Sequence, residues 1–476
     1  MAGIKYEKRG NLYYVYKLDY YWDKELKKSR QKSTYLGTAK KKGGPYEKTG
    51  RKAKITKTEQ AIVDFGDSFV IKETASQIGL DSVLHESFGD LADSVMNLAC
   101  YQITEGSAMY SCEDWVDGNI ASSLFKNAGT SSQDISRLFQ TLGNQELVQK
   151  FFKNYIAKFF PNTTGLLIDS TSLPSAINAS INAFGHTSDG IQENVTCLML
   201  VDKISKLPIY FRAVGGDIAD TSTLETTIRE IKLLGLKAGS AVLDAGYCSK
   251  GNLEYMCKEE VDFITRLPRS HNIFYNLVDD LDCKISSDTA VKYGDRIVFI
   301  KSKKVDVYGN KIYAHVILDE NKQAKDIQHI LKDKLDCEQT KAEREVLDKK
   351  LKYAGFLILL SKSAIEAKDI LPNYYTRQAI EQVFGFAKSN NNILPLRVHS
   401  EKSINGYLLL VFISLILFVT MRQKLQPKIT MDKALIQLRA LKAKIYDDQI
   451  LIMEPNKKVK DIAKALNIIL PIKMGV

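Results

Sequence analysis

Three acidic residues, far apart in the chain, are the best equipped to do chemistry. Asp169 closes an apolar run in TGLLIDSTSL, Asp244 closes another in GSAVLDAGYCS, and Glu381 lies in YYTRQAIEQVFGFAK, residues 374–388. Carboxylates on separate rigid elements can hold two divalent ions ~4 Å apart, one activating a nucleophile and one stabilising the leaving oxygen of a phosphodiester. Hard oxygen donors with no histidine or cysteine beside them favour Mg²⁺ or Mn²⁺ over zinc. In the 374–388 stretch, Tyr374, Arg377, Glu381 and Lys388 fall at offsets 0, 3, 7 and 14, close to one face of a helix. Each feature also has an ordinary reading. The helix face could be a solvated one with Arg377 and Glu381 paired at i, i+4, and either aspartate alone could be a turn or cap residue.

The elements needed to position these groups can be read from periodicity. After Gly165 the pattern predicts a strand ending at Asp169, strands at Glu193–Asp202 and Lys206–Val214, and an amphipathic helix over Thr221–Gly235. A strand ending at Asp244, a helix in GNLEYMCKEE and a fifth strand, VDFITRL, follow. Three strands, helix, strand, helix, strand is the core order of an α/β RNase H-like fold. This core spans 161–265 and 354–421, and a β-rich insertion at 266–353 interrupts it. AGFLILLS is a returning strand ahead of the 374–388 helix. The apolar run Tyr407–Met421, at 15 residues, is short of the ~20 that cross a bilayer and reads as a buried helix. Residues 59–160 read as a helical domain in which SSQDISRLFQTLG resembles one limb of a helix-turn-helix; DNA-end binding and assembly are both open to it. Residues 422–476 read as a basic helical tail.

Charge is uneven. Residues 1–58 carry +12, 59–160 carry −8, 161–420 are neutral overall and 421–476 carry +7. Basic ends suit a polyanion such as DNA. The first 58 residues alternate aromatic and polar positions, as in NLYYVYKLDYYW, which predicts a small basic hairpin or three-stranded sheet followed by a mobile linker, AKKKGGPYEKTGRKAK. Its tyrosines and Trp22 interleave with lysines and Arg30 and would either contact DNA by stacking and phosphate binding or supply the sheet's only core. The seven cysteines form no CxxC and no cluster with histidine, which points to a reducing cytosol and away from a zinc site. No export signal is read at the N-terminus, no membrane association is expected, and no P-loop calls for ATP. His186 and Asp189 in GHTSDG read as a turn or as helpers at the site, and His399 as a polar contact.

On these residues the chain resembles a DDE insertion-sequence transposase of the branch with a Tyr-x2-Arg-x3-Glu-x6-Lys signature. Tyr374, Arg377, Glu381 and Lys388 match its spacing, and LLIDSTSL, FGHTSDG, LPIYFRAVGGDIADTSTL, VLDAGYCSKGNLEYM and LRVHSEKSINGYLLL continue the match. The resemblance implies cleavage at element ends and joining of the 3′-hydroxyl to target DNA, in a bacterial-type cytoplasm, nucleoid-associated. Asp169, Asp244 and Glu381 would be catalytic and hold two Mg²⁺ or Mn²⁺ ions, with Tyr374, Arg377 and Lys388 on DNA phosphates. Double-stranded DNA and a second copy of the chain, on paired ends, would be the partners. Two rivals share the fold: a domesticated DNA-binding protein that no longer transposes, and a structure-selective nuclease that cuts without joining. The chain departs from the pattern in having Asp244-Ala245-Gly246 for Asp-Arg-Gly and Gly215-Gly216 for Gly-Asn. Relatives that form a DNA hairpin stack a flipped base on an insertion tryptophan; here the tryptophans are Trp22 and Trp115, leaving Phe274, Tyr275 or Tyr293 as substitutes.

Overall fold

A computed structural model describes residues 3–10, 12–23, 27–47, 59–175, 177, 181–187, 190–218, 220–332, 340–389, 398 and 400–475, the side chains of Glu59, His186 and Ser389 excepted. The chain divides into two compact units, Met1–Gln60 with Tyr446–Asp448, and Ala61–Ile445 with Gln449–Val476.

In the first unit, strands β1 (Gly3–Arg9), β2 (Leu12–Asp23) and β3 (Lys28–Ala39) form an antiparallel meander. The aromatics are not its only core. Val15 and Ala39 are buried, while Tyr20, Tyr21 and Trp22 stand 55, 50 and 63% exposed at the far end of β2. The predicted linker is tied down as far as Glu47, which exchanges backbone hydrogen bonds with Thr38. Its remainder lies outside the described residues.

Strand β4 (Glu59–Asp64) runs across the boundary into the second unit, which continues with helices α1 (Gly66–Ile78), α2 (Leu80–Phe88), α3 (Ala92–Thr104), α4 (Cys112–Asp117), α5 (Ala121–Leu124), α6 (Ser132–Leu142) and α7 (Gln145–Phe159). The predicted serine cap is present, as Ser131 Oγ accepts from the Asp134 amide at 3.2 Å. A mixed sheet follows, built from β5 (Leu166–Pro174), β6 (Ala183–Thr187), β7 (Gly190–Asp202), β8 (Pro208–Gly215), β9 (Ser240–Leu243) and β10 (Asp262–Arg266). Its later strands are β11 (Ala290–Tyr293), β12 (Arg296–Val307), β13 (Asn310–Leu318) and β14 (Phe356–Ser361). The order is β11-β12-β13-β14-β10-β9-β5-β7-β6, with β8 also on β7. Strands β5, β9 and β10 run parallel; β7 is antiparallel to β5. Helices α8 (Asp220–Leu233) and α9 (Lys250–Lys258) connect β8 to β9 and β9 to β10.

The segment 266–353 adds α10 (Asn272–Leu281), β11–β13, α11 (Glu320–Leu331) and α12 (Lys341–Lys352). Its strands extend the central sheet, because β14 pairs with β10 on one side and β13 on the other. His315, fully buried on β13, is held there by two hydroxyls: Nδ1 is 2.7 Å from Ser302 Oγ and Nε2 is 3.0 Å from Ser361 Oγ. Since Ser361 donates its own proton to the Ser363 carbonyl, it accepts from Nε2–H.

After β14 come α13 (Ala367–Tyr375), α14 (Gln378–Ser389), α15 (Glu401–Leu425) and α16 (Met431–Arg439). The C-terminal region is not purely helical: β15 (Lys442–Tyr446), β16 (Ile450–Ile452) and β17 (Lys473–Met474) form a small sheet with β4, and α17 (Lys457–Ala465) lies between β16 and β17.

Helix α15 extends the predicted apolar run to 25 residues and is long and apolar enough to cross a membrane, yet 89% of its most apolar window is buried inside the protein. It welds the helices to the sheet. Phe412 packs against Phe152 of α7 and Phe211 of β8 with ring centroids 5.2 and 5.6 Å apart, contacts worth ~1 kcal/mol each beyond their burial. Near its N-terminus, Gly406 lets the backbone approach α6: a Cβ there would stand 2.0 Å from the Phe139 carbonyl oxygen.

Gly406→Ala should therefore destabilise by about 1–3 kcal/mol through overpacking. Gly385→Ala, whose Cβ would meet nothing within 4 Å, should hold or raise the melting temperature, and equal melting for the two variants would contradict the close approach. Burial lowers the His315 pKa from 6.5 to about 4. The folded state then binds fewer protons than the unfolded one between those values, so its contribution is complete above pH 6.5 and is lost as pH falls through 4. His315→Gln should lose less melting temperature between pH 7 and 4.5 than the parent, as measured by circular dichroism.

Candidate active site

The two aspartates meet because of strand register. Leu166, Leu167 and Ile168 are fully buried and pair in parallel with Ala241, Val242 and Leu243. One residue further along each strand stand Asp169 and Asp244, at the C-terminal end of that parallel ladder. β5 does not end at Asp169 as predicted: it continues to Pro174, paired only with β7. Asp244 leaves the ladder into a tight turn, and its carbonyl accepts from Thr265 Oγ1 at 3.1 Å.

The signature stretch is not one helix. α13 ends at Tyr375 and α14 begins at Gln378. Thr376 Oγ1 bonds the Asn373 carbonyl at 2.6 Å, a local alternative to helical pairing, and the amides of Arg377, Ala379 and Ile380 bond carbonyls three residues back. The break places Arg377 at the junction. α13 is tied to the sheet by Lys203 Nζ donating to Asn373 Oδ1 at 3.0 Å. Buried Ile380, Val383, Phe384 and Ala387 press α14 onto the core, and Phe386 packs on Phe418 of α15 at 4.9 Å.

The Arg377 guanidinium sits among all three acids. One terminal nitrogen lies 3.1 Å from Asp169 Oδ2 and 3.3 Å from Glu381 Oε1, and the other 3.3 Å from Asp244 Oδ1. Asp169 and Arg377 are each 14% exposed at the side chain, Asp244 31% and Glu381 52%. The three carboxylates converge as the sequence predicts, but around a cation supplied by the chain. Among the described residues, no three His, Cys, Asp or Glu side chains stand in a metal-holding arrangement.

Tyr374, expected against a phosphate, is 2% exposed and donates to Asp244 Oδ1 at 3.3 Å. Burial, then Asp244, raises its pKa to about 12. Lys388 makes no ion pair with a carboxylate among the described residues; it lines an apolar gap with Thr171 and Cys197, and burial lowers its pKa. Asp189, His399 and the side chain of His186 lie outside the described residues. Of the candidate stacking aromatics, Phe274 is buried in the core and Tyr275 packs on Tyr353. Tyr293 stacks on Tyr375, with centroids 5.6 Å apart, next to Tyr374.

Residues 161–417, more than half of the chain, match the transposase DDE domain. The chain belongs to the DDE transposase family. It also resembles a piggyBac transposase solved in a synaptic complex with hairpin DNA, at 10% identity and a TM-score of 0.39 over 84% of this chain and 76% of that one. No curated protein matches the sequence.

Two groups beside the transposase site were not singled out from the sequence. Arg266 Nη2 lies 3.8 Å from Asp244 Oδ1. Asp220, the first residue of α8, accepts from Ser170 Oγ at 2.6 Å and feels the charge of Asp244. Arg266 is the last residue of β10, DFITR, and closes its strand as the aspartates close their apolar runs. Asp220 sits just before the predicted helix start, where it resembles an ordinary cap.

Burial raises the Asp169 pKa to about 6, with Arg377 acting against it. For Arg377, burial disfavours the charge, but Asp169 and Asp244 outweigh it and hold the guanidinium above its usual range. Removing one partner of a buried pair leaves the others uncompensated, at a cost of about 3–5 kcal/mol. Arg377→Ala should accordingly lower the melting temperature in chelator at pH 7.5, and Arg377→Lys, which keeps the charge without the fork, should lower it less. A parental melting temperature for Arg377→Ala would show that the guanidinium does not hold the carboxylates together.

Proposed function

We propose that this transposase cleaves DNA strands at the ends of its own element and joins the freed 3′-hydroxyl to target DNA, acting as a homodimer on paired ends. The observation that carries this reading is the gathering of Asp169, Asp244 and Glu381 about one guanidinium. Three carboxylates against one arginine leave the pocket negative, with Arg266 only at its rim, so the donor set suits hard divalent cations. Asp169, Asp244 and Glu381 would hold two Mg²⁺ or Mn²⁺ ions once Arg377 yields its place. Bound there, the ions supply charge for the attacking and leaving oxygens of an in-line displacement.

The chain's own residues do the rest. Asp169 and Asp244, fixed at the end of a parallel ladder, define one wall. Glu381, half exposed, is the acid with most freedom to meet incoming DNA. Arg377, released from its acids, can take a phosphate in a bidentate grip. Lys388 and Arg266 offer further positive charge along the DNA path, and Tyr374 steadies Asp244. The strand order β10-β9-β5-β7-β8, with β7 alone antiparallel to β5, supports an RNase H-like core. The exposed Tyr20, Tyr21 and Trp22, in register with Gln31, Arg30 and Ser29, support a DNA-contacting role for the N-terminal sheet by stacking and charge.

A strand-transfer assay with Mg²⁺ and DNA carrying the element's ends tests the proposal. Cleaved ends and joined product are expected, and Glu381→Gln should abolish both while leaving end binding in a gel shift within about twofold of parental, since one neutralised side chain outside the bulk of the phosphate contacts changes affinity little. Cleavage without joining would make the protein a nuclease; end binding without cleavage would make it a DNA-binding protein alone.

A further inference from the structure

We infer that Asp220 is a positioning residue for the cation site, setting the orientation of Asp169 through Ser170. The inference rests on the proposed site and concerns how one of its acids is aimed. Asp169 uses its two oxygens differently. Oδ1 accepts from the Ser170 amide at 2.9 Å, and Oδ2 faces the centre, where Arg377 meets it at 3.1 Å. Ser170 is thus the clamp on the back of Asp169, and its own hydroxyl donates to Asp220 Oδ1 at 2.6 Å. That length is typical of a hydroxyl bonded to an ionised carboxylate, about twice as strong as a neutral pair.

Asp220 is itself fixed. It begins α8, and its carbonyl accepts from Thr223 Oγ1 at 2.8 Å. Its second oxygen lies against the turn that follows Asp244: a Cβ on Gly246 would stand 3.0 Å from Asp220 Oδ2. The start of α8, the Ser170 clamp and the Asp244 turn therefore interlock. Neighbours of this kind fix the rotamer of a ligand, and their loss costs about 10–100-fold in metal affinity. At β5 the need is plain, because the strand runs on past Asp169 with no partner on the β9 side. Backbone pairing on that side no longer restrains the carboxylate.

The test is Mn²⁺ binding to the full-length chain without DNA, followed by electron paramagnetic resonance, with melting temperature and end binding measured alongside. Asp220→Ala and Ser170→Ala should each weaken Mn²⁺ binding by about tenfold or more, whereas Asp220→Asn, whose amide oxygen still accepts from Ser170, should stay near the parent. Three results would overturn the inference. One is parental affinity in both Asp220→Ala and Ser170→Ala. Another is loss in Asp220→Ala with Ser170→Ala unchanged, which would make Asp220 a direct ligand. The third is loss in Asp220→Asn as deep as in Asp220→Ala, which would make its charge the operative property. If Asp220→Ala fails to fold, Ser170→Ala and Asp220→Asn decide between these outcomes. A parental chain that binds no Mn²⁺ would instead refute the cation site itself.

Discussion

One arginine holds the site in its present form. Three carboxylates gathered this closely repel each other, and Asp169, the most buried of them, carries a desolvation cost that a neighbouring cation offsets. Arg377 meets this demand from within the chain, with its two terminal nitrogens shared among Asp169, Asp244 and Glu381. The fold is arranged so that it can: the helix is interrupted at Thr376–Arg377, α13 is pinned to the β7–β8 turn and α14 is pressed on α15. An unbroken helix would have fixed Arg377 and Glu381 in their i, i+4 relation, with the guanidinium bound to follow the helix surface. The break lets one side chain reach two strands as well as its own helix.

Precision in the rest of the site comes from elements that carry no charge. Parallel pairing of β5 with β9 brings Asp169 beside Asp244, and buried Leu166, Leu167, Ile168, Ala241, Val242 and Leu243 keep that register from slipping, since a one-residue shift would turn each side chain to the opposite face. Tyr374 then adds a hydrogen bond to Asp244, and Ser170 one to Asp169. Hydrophobic packing sets the positions of the acids to within a residue; polar contacts set their orientation.

Much of this was legible in the sequence. Asp169 and Asp244 follow apolar runs, and strand-helix alternation gave both the neighbouring strands and the connecting helices. The Tyr374, Arg377, Glu381 and Lys388 spacing pointed to one locality. What periodicity did not carry was anything decided by side chains bonding to backbone. The helix break depends on Thr376 and the turn at Arg377, which leave the 3.6-residue pattern almost intact. Asp220 looks like a cap because it is one residue from a helix start, and only the fold brings Ser170 to it. The small sheet near the C-terminus escaped because β15, β16 and β17 are 5, 3 and 2 residues long, too short for an alternation to register. Continuity of β11–β13 with the central sheet is likewise a matter of pairing through β14, which lies about 40 residues further on.

Helix α15 also bears on how the protein is made. It covers apolar faces of α3, α6 and α7, all translated long before it, and packs on β8 of the sheet. The ribosome delivers those early helices first and their cover last, on the order of tens of seconds later at ordinary synthesis rates. During that interval the faces that α15 will cover lack their partner, and a polypeptide ending before residue 401 would leave them bare.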